Sequence, residues 1–314
     1  MKSITRTVVV LIALSVPAAA MAETPAPGAP DAPRIKVHKI KPVAAKLPAV
    51  KRDKLANASK KARPFPWEGE ELYYSVEVSG ADAARASLQV GKKKTKKGVT
   101  YVPIVARAVS HGFFAKSYPL DNTADTFIDL STGQPIKSDK VIKENGSFRR
   151  YDVRFDPDGY AAKVDKELRN KGEKKTKKRN FMRAVPDTIH DGLSWIYALR
   201  GEKLDKGDKY TYYIYDGWKL SKLVVTVVGK ETAWTPLQEY KTIKVDVERT
   251  IMNSGWTGKK GKRGAPKLSN REKPYYFSSI YFSDDDQHIP VKVFVTSQKA
   301  DSELKLVKYV APKK

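Results

Sequence analysis

From residue 72 onward, apolar and polar side chains alternate over one run after another. Leu72, Tyr74, Val76 and Val78 alternate with Tyr73, Ser75, Glu77 and Ser79. Ile243, Val245 and Val247 alternate with Thr242, Lys244, Asp246 and Glu248, and Val291, Val293 and Val295 with Lys292, Phe294 and Thr296. Runs of the same period lie near 99–108, 123–130, 151–155, 210–215, 220–228, 275–282 and 304–310. A period of two sends successive side chains to opposite faces, the pattern of antiparallel strands with one dry and one wet face. The connectors agree. Asn145-Gly146 is a hairpin signal because both residues tolerate positive φ, and Asp156-Pro157-Asp158-Gly159 and Asp216-Gly217 follow the same turn logic. Roughly a dozen strands are expected, and a sheet that wide curls. The predicted fold is mainly β: one large curved antiparallel sheet, half-barrel or barrel-like, with one short packed helix.

That helix is expected at PDTIHDGLSWIYALRG, residues 186–201. Pro186 makes a sharp entry and Asp187 a suitable N-cap. Ile189, Leu193, Ile196 and Tyr197 fall on one face, and Gly201 ends the run. Asp187, His190 and Asp191 also crowd into one turn, as catalytic groups do. Two readings are therefore weighed: a capped helix that packs against the sheet, and a base with its orienting acid. Acids in a first helical turn already complement the helix dipole, and no nucleophile elbow or HExxH pattern accompanies them. The packing helix is the expectation, with no catalytic residue, metal or cofactor. His38 lies in a low-complexity stretch. Ser283-Asp284-Asp285-Asp286-Gln287-His288 lacks calcium-loop spacing and reads as a polar hairpin turn.

The start of the chain bears on compartment. Lys2 and Arg6 precede a short apolar run, and Ala20-Met21-Ala22 offers small residues for cleavage, so residues 1–22 read as a secretory leader, too short to span a bilayer. Residues 23–66, rich in Pro, Ala and Lys, read as a basic, extended tether, and 67–314 as a single β domain. The chain has no cysteine, hence no disulfide and no lipid-modified cysteine. A formal charge of +25 points toward anionic partners. After export these would be lipid headgroups, lipopolysaccharide phosphates, acidic wall polymers or an envelope protein rather than nucleic acid. No later stretch is apolar enough to suggest a transmembrane span.

Lysines gather at 91–98, 171–179 and 258–264. They either converge on one rim or keep sheet edges solvated. Aromatic residues gather at 210–218 and 275–282, where they either fill a large β core or line a groove. The candidate ligand contacts are Tyr212, Tyr215, Trp218 and Trp256 for an apolar part, and Lys93, Lys96, Lys177, Arg179 and Lys260 for an anionic part.

The order of several short motifs resembles a known family. Trp67-Glu68-Gly69-Glu70-Glu71-Leu72-Tyr73-Tyr74, Asp125 to Asp129 with Gly133-Gln134-Pro135, Asp191 to Arg200, Leu204 to Asp208, and Ser283-Asp284 through Pro290 are similar to successive motifs of the periplasmic domain-of-unknown-function family 3108. The likeness runs from about Pro66 to Val310. It implies a secreted, mostly antiparallel β domain and transfers no functional residue. The expected function is a non-enzymatic cell-envelope protein holding an amphipathic or anionic component in a β-sheet groove. The alternatives are an electrostatic scaffold for an acidic polymer or protein, and an envelope hydrolase built on His190.

Overall fold

The computed structural model describes residues 65–156, 158, 160–257, 264–296 and 300–312. The expected leader, nearly all of the tether, His38 and Lys260 lie outside the described residues.

Sixteen strands and two short helices follow along the chain: β1 (Glu71–Val78), β2 (Ala81–Val90), β3 (Lys94–Lys96), β4 (Val99–Ser110), α1 (Gly112–Ser117), β5 (Asp121–Asp129), β6 (Pro135–Glu144), β7 (Ser147–Asp156), β8 (Ala161–Arg169), β9 (Lys177–Ala184), α2 (Ser194–Arg200), β10 (Lys209–Tyr215), β11 (Leu220–Trp234), β12 (Glu239–Trp256), β13 (Pro266–Asn270), β14 (Tyr275–Ser283), β15 (Pro290–Val295) and β16 (Ser302–Val310). All ladders between these strands are antiparallel. The sheet order is β10-β11-β12-β14-β15-β16-β1-β2-β4-β5-β6-β7-β8-β9, with β13 on β12 and β3 on β4. The first and last strands therefore meet in the middle, where β16 pairs β1, and among the described residues the free edges are β9 and β10.

The sheet does not close; it rolls. On β10, Tyr212 and Ile214 face the main core, which α2 and the inner faces of β1, β2, β4 and β14–β16 complete. The opposite face, carrying Tyr215, and the β11–β12 residues Leu220 and Met252 pack on Tyr151, Val153, Phe155 and Val164 of β7 and β8. One edge of the sheet thus tucks against the inner face of the other. Gly217 marks the closest approach: its φ is +85°, and an added Cβ would lie 2.7 Å from Cβ of Tyr151. The seam is held by Ser254 Oγ donating to Ala184 C=O at 2.8 Å and by a single bridge at His190. There, His190 N–H donates to Tyr213 C=O at 2.8 Å, and Tyr215 N–H donates to His190 C=O at 2.9 Å.

Several expectations change. The Asn145-Gly146 turn is as read, with φ of 44° and 79°. There are two helices among the described residues rather than one, because residues 112–117 make a single buried-Phe114 turn between β4 and β5. The 187–200 segment is not helical throughout. The open edge of β10 captures the backbone at His190, so α2 starts only at Ser194. Asp187 is not its cap; its carboxylate accepts from the adjacent Thr188 N–H, while Asp191 Oδ1 accepts from Leu193 N–H at 3.1 Å and Ser194 N–H at 2.8 Å. The lysine segments are not simple loops either: Lys94–Lys96 extends the β4 ladder, and Lys177–Ala184 is an edge strand.

Candidate functional site

At one end of the roll, α2 borders a cavity of about 1260 Å³. Ile128, Leu130, Leu204, Tyr212 and Ile243 give it an apolar floor, all of them buried. Glu202, Asp205, Asp284 and Asp286 stand at its edge with Lys203 and Lys230. Lys230 pairs Asp284 at 2.7 Å and Lys203 lies 3.4 Å from Asp205. The rim therefore carries more carboxylate than ammonium, contrary to a cationic mouth.

One wall is braced by an ion pair wholly withdrawn from solvent. Arg200, the last residue of α2, donates through Nη1 and Nη2 to Glu70 at 2.6 and 2.7 Å, with both side chains 0% exposed. Such a pair survives burial only when its remaining hydrogen-bond capacity is met. Here Arg200 Nε and Nη2 also reach Gln287 C=O at 3.2 and 3.0 Å, and Tyr197 OH donates to Glu70 at 3.3 Å. The guanidinium lies over the rings of Trp67 and Tyr197. Burial works against the charge on Arg200, yet the Glu70 hydrogen bonds outweigh it and raise its pKa. Burial first, then the Glu70 charge, pushes the Tyr197 hydroxyl well above its ordinary value.

His190 lines the same cavity but is not set up as a charged base. Burial pulls its pKa down to about 4, so it is neutral at pH 7. Its Nδ1 lies 3.3 Å from Ser194 Oγ, its ring meets Tyr212 edge-on, and Ser194 Oγ accepts from Asp191 N–H at 3.0 Å. Asp191 faces away into the core, where Thr126 Oγ1 donates to it; burial raises its pKa. Among the described residues, no carboxylate forms an ion pair with His190.

The acidic turn divides its work. Asp285 accepts from Ser283 OH and Gln287 N–H, both at 2.9 Å, Asp284 pairs Lys230, and Asp286 faces the cavity. His288, with φ +42°, brings Nδ1 to 3.0 Å from Arg200 C=O.

Four of the five short motifs scattered through the sequence therefore meet around α2 and the segment that leads into it. Glu70 and Trp67 come from the first, Thr126 and Gln134 from the second, Asp191, Tyr197 and Arg200 from the third, and Gln287 and Pro290 from the last. Gln134 accepts from Ile189 N–H and Pro290 C=O from Tyr74 OH. The sequence profile described as "Protein of unknown function (DUF3108)" matches residues 71–305. The chain belongs to the DUF3108 family. No curated protein matches this DUF3108 chain. Among solved structures, it is similar to a β-barrel-like protein of domain of unknown function DUF1849 from Brucella abortus. The two share 13% identity at a TM-score of 0.46, over 81% of this chain and 100% of the other. It is also similar to a Bacteroides fragilis protein described as exported with a YmcC-like fold (12% identity, TM-score 0.30, 80% and 100% coverage). A third similar structure is a protein from Parabacteroides distasonis described as a lipoprotein (10% identity, TM-score 0.29, 79% and 99% coverage).

The residues singled out from sequence do not gather in one place. Of the four aromatics, Tyr212 alone lines the cavity, at 9% exposure. Tyr215 is fully buried in the second core, and Trp218 packs on that core's edge. Trp256 is exposed and donates its indole N–H to Tyr160 C=O at 3.0 Å. Lys93 and Lys96 project from the end of β2 and β4 that lies on the cavity side, with Lys93 3.7 Å from Glu68. Lys177 and Arg179 stand at the opposite end of the β8–β9 ladder, where Leu168 faces Lys177. The expected shared cationic rim does not form from these two groups. Glu70 and Arg200, the centre of the brace, went unread as a pair because 130 residues separate them.

Proposed function

We propose that this DUF3108 protein is a non-enzymatic protein of the cell envelope that takes an amphipathic molecule into the cavity beside α2. The observation that carries the reading is the cavity itself: a half-open hollow of about 1260 Å³ with an apolar floor and a polar, partly exposed rim, not smaller than the few hundred to about 1000 Å³ of ordinary small-ligand sites. A rim in which Glu202 and Asp286 outnumber the unpaired lysines favours a neutral or amine-bearing head over an anionic one. The envelope setting rests on the leader read at residues 1–22 and on the family's periplasmic habit. The non-enzymatic reading rests on His190, buried and neutral beside Ser194, and on Asp191, which is occupied by Thr126 and by the start of α2.

Organic extraction of protein purified from its native compartment, followed by mass spectrometry, should return an amphiphile. Ala198→Trp, which places an indole where α2 lines the cavity, should weaken uptake of a fluorescent amphiphile by about tenfold or more while leaving the β-sheet spectrum intact. An empty extract together with unchanged uptake by the variant would remove the proposal. Ester or amide hydrolysis lost on His190→Gln would overturn its non-enzymatic part.

A further inference from the structure

A second feature lies away from the cavity, on the wing formed by β6–β9. These four strands pair without a bulge, so side chains of one parity share a face. Their outer face is mostly charge-paired: Lys137 meets Asp152 at 2.8 Å, Arg154 meets Asp165 at 2.7 Å, Arg150 meets Asp139, and Lys178 stands 3.7 Å from Glu167, with Lys143, Lys163 and Arg169 outside these pairs but interleaved with five acids. The inner face is not. Across it runs the row Lys140, Tyr151, Lys166 and Arg179, one residue from each strand in direct register. Arg149 and Lys177 flank that row, and Glu144 is the one acid that these strands contribute to the face among the described residues.

Three of these cations have partners from nearby: Lys140 pairs Asp216 at 3.4 Å, Arg149 pairs Glu144 at 2.7 Å, and Lys177 pairs Glu173 at 2.9 Å. Lys166 and Arg179, directly opposite one another, have no carboxylate within ion-pair distance among the described residues. Like charges facing each other across a ladder are destabilising. The strain shows at Lys166, whose pKa is lowered by burial and then by Arg179 and Arg149. Rings hold the pair in place: Lys166 lies 5.4 Å from the Tyr151 centroid, and Arg179 lies 5.6 Å from that of Phe181. The same strands that place five acids on one face, Asp139, Asp152, Asp156, Asp165 and Glu167, give this one Glu144 alone among the described residues. Solvation accounts for isolated surface lysines, but not for a repelling, half-buried Lys166 beside a stacked Arg179.

We propose that the inner face of β6–β9 is a phosphate-binding site, in which Lys166 and Arg179 take the oxygens of a phosphate group while Arg149 and Lys177 raise the local potential. The Arg fork and the neighbouring ammonium suit a compact, multiply charged oxyanion better than a single carboxylate. The group belongs either to a lipid head or to a free phosphate. The site is independent of the cavity beside α2, and either can fail without the other.

The test compares K166Q/R179Q with the outer-face control K163Q/K178Q, both in the full chain. The probes are inorganic phosphate, phosphatidylglycerol vesicles and phosphatidylcholine vesicles. Removing two charge-assisted contacts should weaken phosphatidylglycerol or phosphate binding by about tenfold or more, with the control changing by about twofold at most. Binding of phosphatidylglycerol alone assigns the group to a lipid, and binding of inorganic phosphate assigns it to a free ion; both support the site. Equal losses in the two variants, no loss in K166Q/R179Q, or equal binding to phosphatidylcholine would overturn it. Because K166Q/R179Q removes a repulsion, it should fold at least as stably as the parent, and phosphate should raise the melting temperature of the parent but not of this variant.

Discussion

The cavity wall beside α2 and the inner face of β6–β9 treat charge in opposite ways. At α2, one cation and one anion are sealed together at 2.6 Å with no solvent, and every further hydrogen bond is arranged around them. On the wing, Lys166 and Arg179 face each other across the ladder with no carboxylate in ion-pair range among the described residues. The first arrangement is rigid and internally complete, as a structural brace should be. The second is incomplete, as a site awaiting an anion should be. A buried charge thus indicates function less reliably than an uncompensated one, and the two regions can be separated by experiment.

The largest expected effect breaks the brace. Glu70→Ala leaves Arg200 buried without its counter-ion and should lower stability by about 3–5 kcal/mol, read from urea unfolding. The double change of Glu70→Leu with Arg200→Met should recover much of that loss; no recovery would mean that the pair does more than neutralise itself.

Next in size is a pH effect at the cavity. His190 is pulled from 6.5 to about 4 by burial. Between those values the unfolded chain binds the proton and the folded chain does not. Its contribution is therefore complete above about 6.5 and is lost as pH falls toward 4, on the order of 3 kcal/mol in all. Asp125 opposes this trend. Burial, and then Asp139 directly across the ladder, raise it to about 6, so the fold holds that proton longer than the unfolded chain and loses stability as pH rises from about 4 to 6. The His190 effect must consequently be read as the difference between the parent and His190→Gln, whose unfolding should lose its acid-side decline. An unchanged pH profile in His190→Gln would show that His190 is not held neutral. Asp125→Asn should stabilise the protein near pH 7 by about 2 kcal/mol, measured the same way.

The smallest effect sharpens the wing. At low salt K166Q/R179Q should gain about 0.5–1 kcal/mol, and the gain should shrink as added salt screens the repulsion. A loss of stability at low salt would mean that the row is compensated in a way that the ladder partners do not reveal.

Much of the architecture is legible in the residues. The alternation at Leu72–Val78 and Val291–Val295 states which side chains face inward, since period two is a local property of the backbone. Asn145-Gly146 states its turn because positive φ is a local demand. The start of α2 is not legible, because Asp187 and Asp191 are equally good caps by type; the free edge of β10, arriving from later in the chain, takes His190 and leaves the helix to Asp191. Lys177 and Arg179 stand out in a basic run, but Lys166 does not, because it is one of many lysines until the ladder sets it against Arg179.

The sequence by itself determined a wide antiparallel sheet, its hairpins and its kinship with the DUF3108 family, because each depends on neighbours within a few residues or on the order of short motifs. Only the tertiary structure decided that the sheet rolls rather than closes, that Glu70 finds Arg200, and that the acids of the wing gather on one face while the other is left cationic. Those outcomes depend on which distant strands lie side by side, and side-chain type carries no record of that until the chain is folded.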